Sequence, residues 1–433
     1  MMFMSSAKKI LRLPIVLPAL FGGILLFGGM VGGEEITYSA DKKESMEKIA
    51  ALLPASAVST EPKFVVTHTP PPEPLKAVYM TSCIASGKKL RAPLVKLIDE
   101  TELNAVVIDI KDYTGMISFD LSAEASAQVG APARADDAGG GDPRFVLNTK
   151  GCHVPDIKEF IGELHEKKIY VVGRVTVMQD STYPKAHPDA AVKKKSDGGI
   201  WKDKKGLTFV DPGATEYWAY MSDLGKASYA VGFDEINYDY IRFPSDGNMS
   251  DIAFLRTGTT TKPAMMKKFY AYLGKEMSAA KIPISADLFG MTTTNTDDLN
   301  IGQILEDALL YFDYVAPMVY PSHYPPGFNG WKDPNQVPYE IIKFSMERAV
   351  LRANKLEEKL SGYVAAGTTT PPFLPTGKYA KKLRPWIQDF DYGKDYAETD
   401  VRAQKKATYD AGLTSWMSWD PSNKYTWSAY DRE

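Results

Sequence analysis

The run 232-GFDEINYDYIRFPSDG-247 sets Asp234, Glu235, Asn237 and Asp239 among Phe, Ile and Tyr, in a stretch otherwise suited to a buried strand. A carboxylate taken out of water costs on the order of several kcal/mol unless it is paired or hydrogen-bonded. Strand side chains alternate with a period of two. Glu235, Asn237 and Asp239 therefore share one face, and Ile236, Tyr238 and Tyr240 the other. Carboxylates also end other β-rich runs: Asp109, on one face with Lys111, in 104-NAVVIDIKD-112, and Asp287 in 285-SADLFG-290. Paired carboxylates suit cleavage of a glycosidic bond, where one protonates the leaving oxygen and the other acts at the anomeric carbon. Rival chemistries lack their residues. Five His and two Cys show no H-x-x-x-H or C-x-x-C spacing, so no metal and no cofactor is expected. There is also no G-x-S-x-G elbow and no Walker A loop.

The elements that must position these groups begin at Leu75. Eight β-rich runs, from 76-KAVYMTSC-83 to 414-TSWMSWD-420, are interleaved with helix candidates over 88–102, 155–168, 263–281, 300–312, 338–360 and 398–412. Pro at the first turn and Gly near the end mark several boundaries. Such alternation over ~350 residues predicts an α/β fold, a (β/α)8 TIM barrel with loop insertions. An open doubly wound sheet is the alternative, and no G-x-G-x-x-G follows the first strand to support it. In a barrel the apolar face of 233-FDEINYDYIRF-243 lies under the helices, which sends the polar trio into the lumen with Asp239 nearest the C-terminal rim.

Other strand ends supply Arg174, Tyr320, His323, Gln388 and Trp419 to that rim. With Asp109, Lys111 and Asn237 these are the candidate substrate contacts, since sugar hydroxyls need polar partners and sugar C–H faces stack on aromatic rings. The competing reading is a structural one, with the acids neutralised by Lys111 and Arg174. Two insertions interrupt the pattern. Residues 121–149, rich in Ala, Gly and Asp, follow strand two and are expected to be mobile at the barrel mouth. Residues 366–377 precede strand seven and are expected at the opposite end.

At the N-terminus Lys8, Lys9 and Arg12 precede an uncharged run from Leu13 to Gly33. A basic flank and about twenty apolar residues are what a bilayer crossing requires. Residues 1–33 are thus expected to be a signal peptide or membrane anchor, 34–74 a linker stiffened by 69-TPPPEP-74, and 75–430 the barrel domain. The positive-inside bias places everything after Glu34 outside the cytoplasm, membrane-anchored or secreted. Cys83 and Cys152 form one bridge or remain two thiols. A net charge of -3 gives no reason to expect a nucleic-acid partner.

The strings 102-ELNAVVIDIKD-112, 232-GFDEINYDYIRFP-244, 285-SADLFG-290, 301-IGQ-303, 317-PMVYPSHY-324 and 384-RPWIQDF-390 resemble those of the putative glycoside hydrolase domain family of exported bacterial proteins. The family is similar to the α-amylase group of barrels, and the resemblance spans roughly residues 75 to 430. It implies that Asp239, ending strand four, is the nucleophile or central carboxylate, and that Asp287 on strand five fills an acid/base position more often held by Glu. Glu235 would orient or stabilise them. The partner implied is a polysaccharide or cell-envelope glycan. A barrel that binds glycan without cleaving it, or one with a structural role in the envelope, is the alternative.

Overall fold

The computed structural model describes residues 65–121, 145–149, 151–361 and 377–432. Eight parallel strands close into a barrel: β1 Lys76–Met80, β2 Ala105–Lys111, β3 Tyr170–Thr176, β4 Glu235–Asp239, β5 Ile284–Phe289, β6 Tyr314–Met318, β7 Trp386–Gln388 and β8 Trp416–Trp419. Each pairs with its neighbours in chain order, and β1 closes the ring against β8. The longer helices among the described residues are α1 Lys88–Asp99, α2 Ile157–Glu166, α3 Thr215–Val231, α4 Lys262–Ala279, α5 Leu305–Tyr311, α6 Pro338–Ser361 and α7 Glu398–Asp410. The expected (β/α)8 barrel is the fold.

Period-two alternation divides the core into two layers. Ala77, Tyr79, Ala105, Val107, Val172 and Trp386 form the inner cluster, while Val78, Val106, Ile108, Val171, Ile236 and Val315 join the larger shell beneath the helices. The helices meet that shell with apolar stripes. α2 buries Ile157, Phe160, Ile161 and Leu164, the i, i+3, i+4, i+7 positions, each contributing roughly 1.5–3 kcal/mol. In α1, Arg91 lies 3.8 Å from the Phe160 ring and donates to both oxygens of Asp156 at 3.0 and 2.9 Å.

The structure departs from the sequence pattern in four places. First, α3 was not among the expected helices. Its buried positions include Ser222, Gly225 and Ser228 beside Tyr217, Met221 and Leu224, so no clean stripe appears. The small residues allow close approach: a Cβ on Gly225 would lie 2.5 Å from the Tyr238 hydroxyl.

Second, β4 stops at Asp239 rather than running to Phe243, because Tyr240 turns to φ 52. That left-handed conformation is uncommon for a bulky residue. It breaks the alternation and brings Tyr240 from the expected outer face into the wall of the cavity at the barrel mouth.

Third, a bulge separates Asp109, opposite Arg174, from Lys111, opposite Val175. One extra residue turns Lys111 away from the lumen, which corrects the shared face expected for the two. Lys111 is fully buried, its Nζ 2.9 Å from Asp180 Oδ2 and donating to Thr176 O at 2.6 Å.

Fourth, the linker expected over 34–74 gives way to docked chain within its last ten residues. Asp234 Oδ1 accepts Thr69 N–H at 2.7 Å, and its Oδ2 accepts Val171 N–H at 2.8 Å and lies 3.0 Å from His165 Nε2. His68 stacks on Tyr229 at 3.9 Å. The first acid of the opening run therefore ties the incoming chain to the base of the barrel.

Cys83 and Cys152 are joined by a disulfide. The described residues form one unit by their contacts. The anchor or signal expected over 1–33, the first part of the linker, and most of the insertions over 121–149 and 366–377 lie outside the described residues. Among the described residues, no helix is long and apolar enough to cross a membrane.

Candidate active site

The registers of β4 and β5 bring two carboxylates level. Asn237 pairs with Ser285 and Tyr238 with Ala286, so Asp239 and Asp287 stand side by side on neighbouring strands. Both line a cavity of about 400 Å³ at the C-terminal ends of the strands, together with Arg174, Arg242, Tyr320 and Trp419.

Arg174 organises one side of it. Its Nε donates to Asp239 Oδ2 at 3.1 Å, its Nη2 to the same oxygen at 2.5 Å, and its Nη1 to Asp109 Oδ1 at 2.7 Å. Asp109 Oδ2 accepts from Tyr79 Oη at 2.5 Å. Tyr79 stacks on Trp419 with ring centres 3.8 Å apart, and the Arg174 guanidinium lies 5.1 Å from the Trp419 ring. Burial disfavours charge on Arg174, but Asp239 and Asp109 outweigh it and hold the guanidinium firmly protonated. Burial raises the Asp109 carboxyl, against the opposing pull of Arg174 and the Tyr79 hydroxyl.

Asp287 sits differently. Its Oδ1 accepts from Asn237 Nδ2 at 2.9 Å and from Trp386 Nε1 at 2.8 Å, and no cation pairs with it among the described residues. Burial, reinforced by the charge of Asp239, pushes its pKa up to about 8. The hydrogen bonds from Asn237 and Trp386 and the field of Arg174 pull the other way and are outweighed. Near neutrality Asp287 is therefore protonated, and beside it Asp239 Oδ2 takes two hydrogen bonds from Arg174. A carboxyl raised in this way by burial is suited to donate a proton.

The remaining candidates divide by depth. Tyr320, His323 and Trp419 line the cavity. Asn237 lies beneath it, 1% exposed, and positions Asp287 and Ser285. Glu235 is deeper still, with Oε2 accepting from Arg384 Nη1 at 3.0 Å and from Tyr170 Oη at 3.2 Å. Four residues along a strand place it about 13 Å from Asp239. Gln388 is buried and engaged by its surroundings: Oε1 accepts from Ser322 N and Oγ, and Nε2 donates to Phe390 O. Lys111 is turned away by the bulge.

Four residues of the site were not singled out from the sequence. Trp386 carries the N–H that binds Asp287, and an aromatic at a lumen position of 384-RPWIQDF-390 was the available signal. Tyr79 could be read only through its partner Asp109, and Tyr240 only through its backbone turn. Arg242, 7% exposed, lies over the rings of Tyr240 and Phe289 and donates to Phe243 O and Ser245 Oγ. Among the described residues no group of three or more His, Cys, Asp or Glu is placed to hold a metal ion.

A family model described as "Putative glycosyl hydrolase domain" matches residues 77–140 and 142–425. Among solved structures, the PgaB (BpsB) glycoside hydrolase domain from Bordetella bronchiseptica is 12% identical, covering 80% of this chain and 94% of its own, with a TM-score of 0.52. That likeness is one of fold. A hypothetical protein from Ruminiclostridium thermocellum ATCC 27405 is 26% identical over 52% of this chain and 98% of its own, with a TM-score of 0.37. A cycloalternan-degrading enzyme from Trueperella pyogenes is 14% identical over 82% of this chain and 44% of its own, with a TM-score of 0.46. No curated protein matches the chain.

Proposed function

Because the chain belongs to the family described as a putative glycosyl hydrolase domain, we propose that it hydrolyses O-glycosidic bonds in a polysaccharide or cell-envelope glycan. One observation carries the reading: a carboxyl raised to about 8 stands level with an arginine-held carboxylate in an aromatic-walled cavity. Asp287 donates its proton to the leaving oxygen while Asp239 attacks the anomeric carbon, giving a glycosyl ester. Asp287, now a carboxylate, then takes a proton from the water that attacks the same carbon and frees Asp239. Adjacent strands lie about 4.8 Å apart. Carboxyls about 5 Å apart suit this double displacement, whereas an inverting pair stands about 6.5–9.5 Å apart to admit water between them.

Asp109 acts through Arg174 as a positioning residue, Asn237 through Asp287, and Glu235 through the barrel floor. Tyr320, His323 and Trp419 offer rings to the sugar faces. An extracytoplasmic location, with tethering through residues 13–33 if they are uncleaved, is part of the proposal, and the Cys83–Cys152 disulfide supports it.

A second reading draws on the double hold of Arg174 on Asp239, which also suits a barrel that binds glycan without cleaving it. One experiment separates the two. Wild type, Asp239→Asn and Asp287→Asn are incubated with a polysaccharide panel, reading both bound glycan and released reducing ends. The hydrolytic reading expects reducing ends from wild type alone. Binding without product in wild type, or unchanged turnover in a folded Asp239→Asn, removes it.

A further inference from the structure

A second cavity, of about 560 Å³, opens beside the first and shares Tyr320, His323 and Trp419 with it. Its far wall is the turn after β7. Tyr392 there is 63% exposed, with its ring centre 5.8 Å from that of His323 and the planes 28° apart. An apolar ring so exposed normally belongs to a mobile loop tip, yet this turn is held from several directions. Asn335 Nδ2 donates to Tyr392 O at 2.7 Å, Tyr396 Oη donates to Asn335 Oδ1 at 2.7 Å, and Asp391 Oδ1 accepts Tyr396 N–H at 2.7 Å. The chain thus fixes the backbone of a residue whose ring is left uncovered. Fixing a platform before its ligand arrives lowers the ordering cost of binding.

The polar groups of this cavity favour one kind of occupant. Both oxygens of Asp389 are taken up by Thr426 and Tyr430, while Asp391 and Asp420 are tied to backbone N–H groups of their own turns. Lys424 is the one lysine or arginine among the lining residues. Hydroxyl and amino donors meet acceptors there, and a carboxylated ring meets like charge.

We infer that the cavity faced by Tyr392 is a second sugar-binding subsite, taking a neutral or amino-bearing unit of the glycan whose neighbouring bond lies over Asp239 and Asp287. The inference rests on the proposed function for the identity of the first cavity. Tyr392 stacks on the sugar ring, and Trp419 and His323 form the passage between the two cavities. A short oligosaccharide fills only the first cavity, and a longer one reaches both.

The test reads binding, so that it does not depend on turnover. Calorimetry on the full-length Asp287→Asn protein uses ladders of two to six units of malto-, cello-, chito- and chitosan oligosaccharides, with oligogalacturonate as the anionic arm. At least one neutral or amino ladder should gain tenfold or more in affinity as it lengthens. Tyr392→Ala should abolish that gain while leaving the shortest binder unchanged, Tyr392→Phe should keep it, and Trp427→Ala, at an exposed ring outside both cavities, should have no effect. Affinity flat with length on every ladder, a gain that survives Tyr392→Ala, or a gain confined to oligogalacturonate overturns the subsite. A length gain in a wild-type protein that releases no reducing ends leaves the subsite standing and removes the hydrolytic reading. Cleavage with flat affinity does the reverse.

Discussion

Replacing Asp287 by Asn keeps the shape of the side chain and the oxygen that accepts from Asn237 and Trp386, and it removes one proton from the balance of folding. In the unfolded chain this carboxyl titrates near 3.8, and in the barrel near 8. Its folded value is the higher, so the stability it confers is complete below pH 4 and is lost as pH rises through 8. Across the middle of that window the native state holds one proton that the unfolded state has released. Linkage then lowers the folding constant tenfold per pH unit, about 3 kcal/mol between pH 5 and pH 7. Asp389, pushed up to about 6, and the raised Asp109 titrate in both proteins and cancel in the difference. Urea unfolding of wild type and Asp287→Asn at pH 5, 6 and 7 should therefore show the variant gaining about 3 kcal/mol relative to wild type over those two units. The activity of wild type should fall on an alkaline limb near pH 8. The variant should lose turnover on natural glycans, and on an aryl glycoside whose leaving group needs no proton it should release the first equivalent of aryl alcohol at near the wild-type rate and then slow, because the second step still lacks its base. Parallel stability curves for the two proteins would show that Asp287 is already ionised at pH 5, and the donor role would fall with that result.

Arg174→Met leaves Asp109 and Asp239 without the cation they share, so it should cost about 3–5 kcal/mol in urea unfolding at pH 7. Arg174→Lys should recover part of that stability and little turnover, because an ammonium cannot reproduce the three-nitrogen contact to two carboxylates. Trp386→Phe removes a hydrogen bond that favours the ionised form of Asp287. The alkaline limb of kcat/KM should move upward, and an unmoved or lowered limb would count against the geometry. Glu235→Gln unpairs the buried Arg384 guanidinium and should cost about 3–5 kcal/mol in stability. The kcat of the folded fraction should stay near wild type, since the change lies two inward positions below Asp239, and a large drop in kcat at full foldedness would restore Glu235 to the chemistry.

The barrel was legible because its signal is repeated eight times: each strand is short, β-rich and followed by a helix or a turn, and one misjudged unit does not change the count. α3 shows the cost of relying on a single stripe, since a helix packed closely through Ser222, Gly225 and Ser228 carries no simple periodicity. Within the site, alternation carried the reading as far as the strands remained regular. It assigned Asn237, Asp239 and Asp287 to one lumen because β4 and β5 are unbroken through those positions. It failed at Lys111 and Tyr240, where a bulge and a positive φ each shift the period by backbone geometry that side-chain types do not encode. Both departures occur at the C-terminal ends of their strands and do separate things there. The bulge removes a lysine that would have competed with Arg174 for Asp109 and Asp239, and the turn at Tyr240 brings its own N–H onto Asp239 Oδ1 at 2.6 Å. Depth was the other hidden quantity. Glu235 and Asp239 look equivalent in a period-two pattern, yet one meets Arg384 in the barrel floor and the other meets Arg174 at the mouth. Which arginine reaches which acid depends on register between strands that lie far apart in the chain, so the same two letters support a structural ion pair at one level and an arginine-held carboxylate beside a protonated partner at the other.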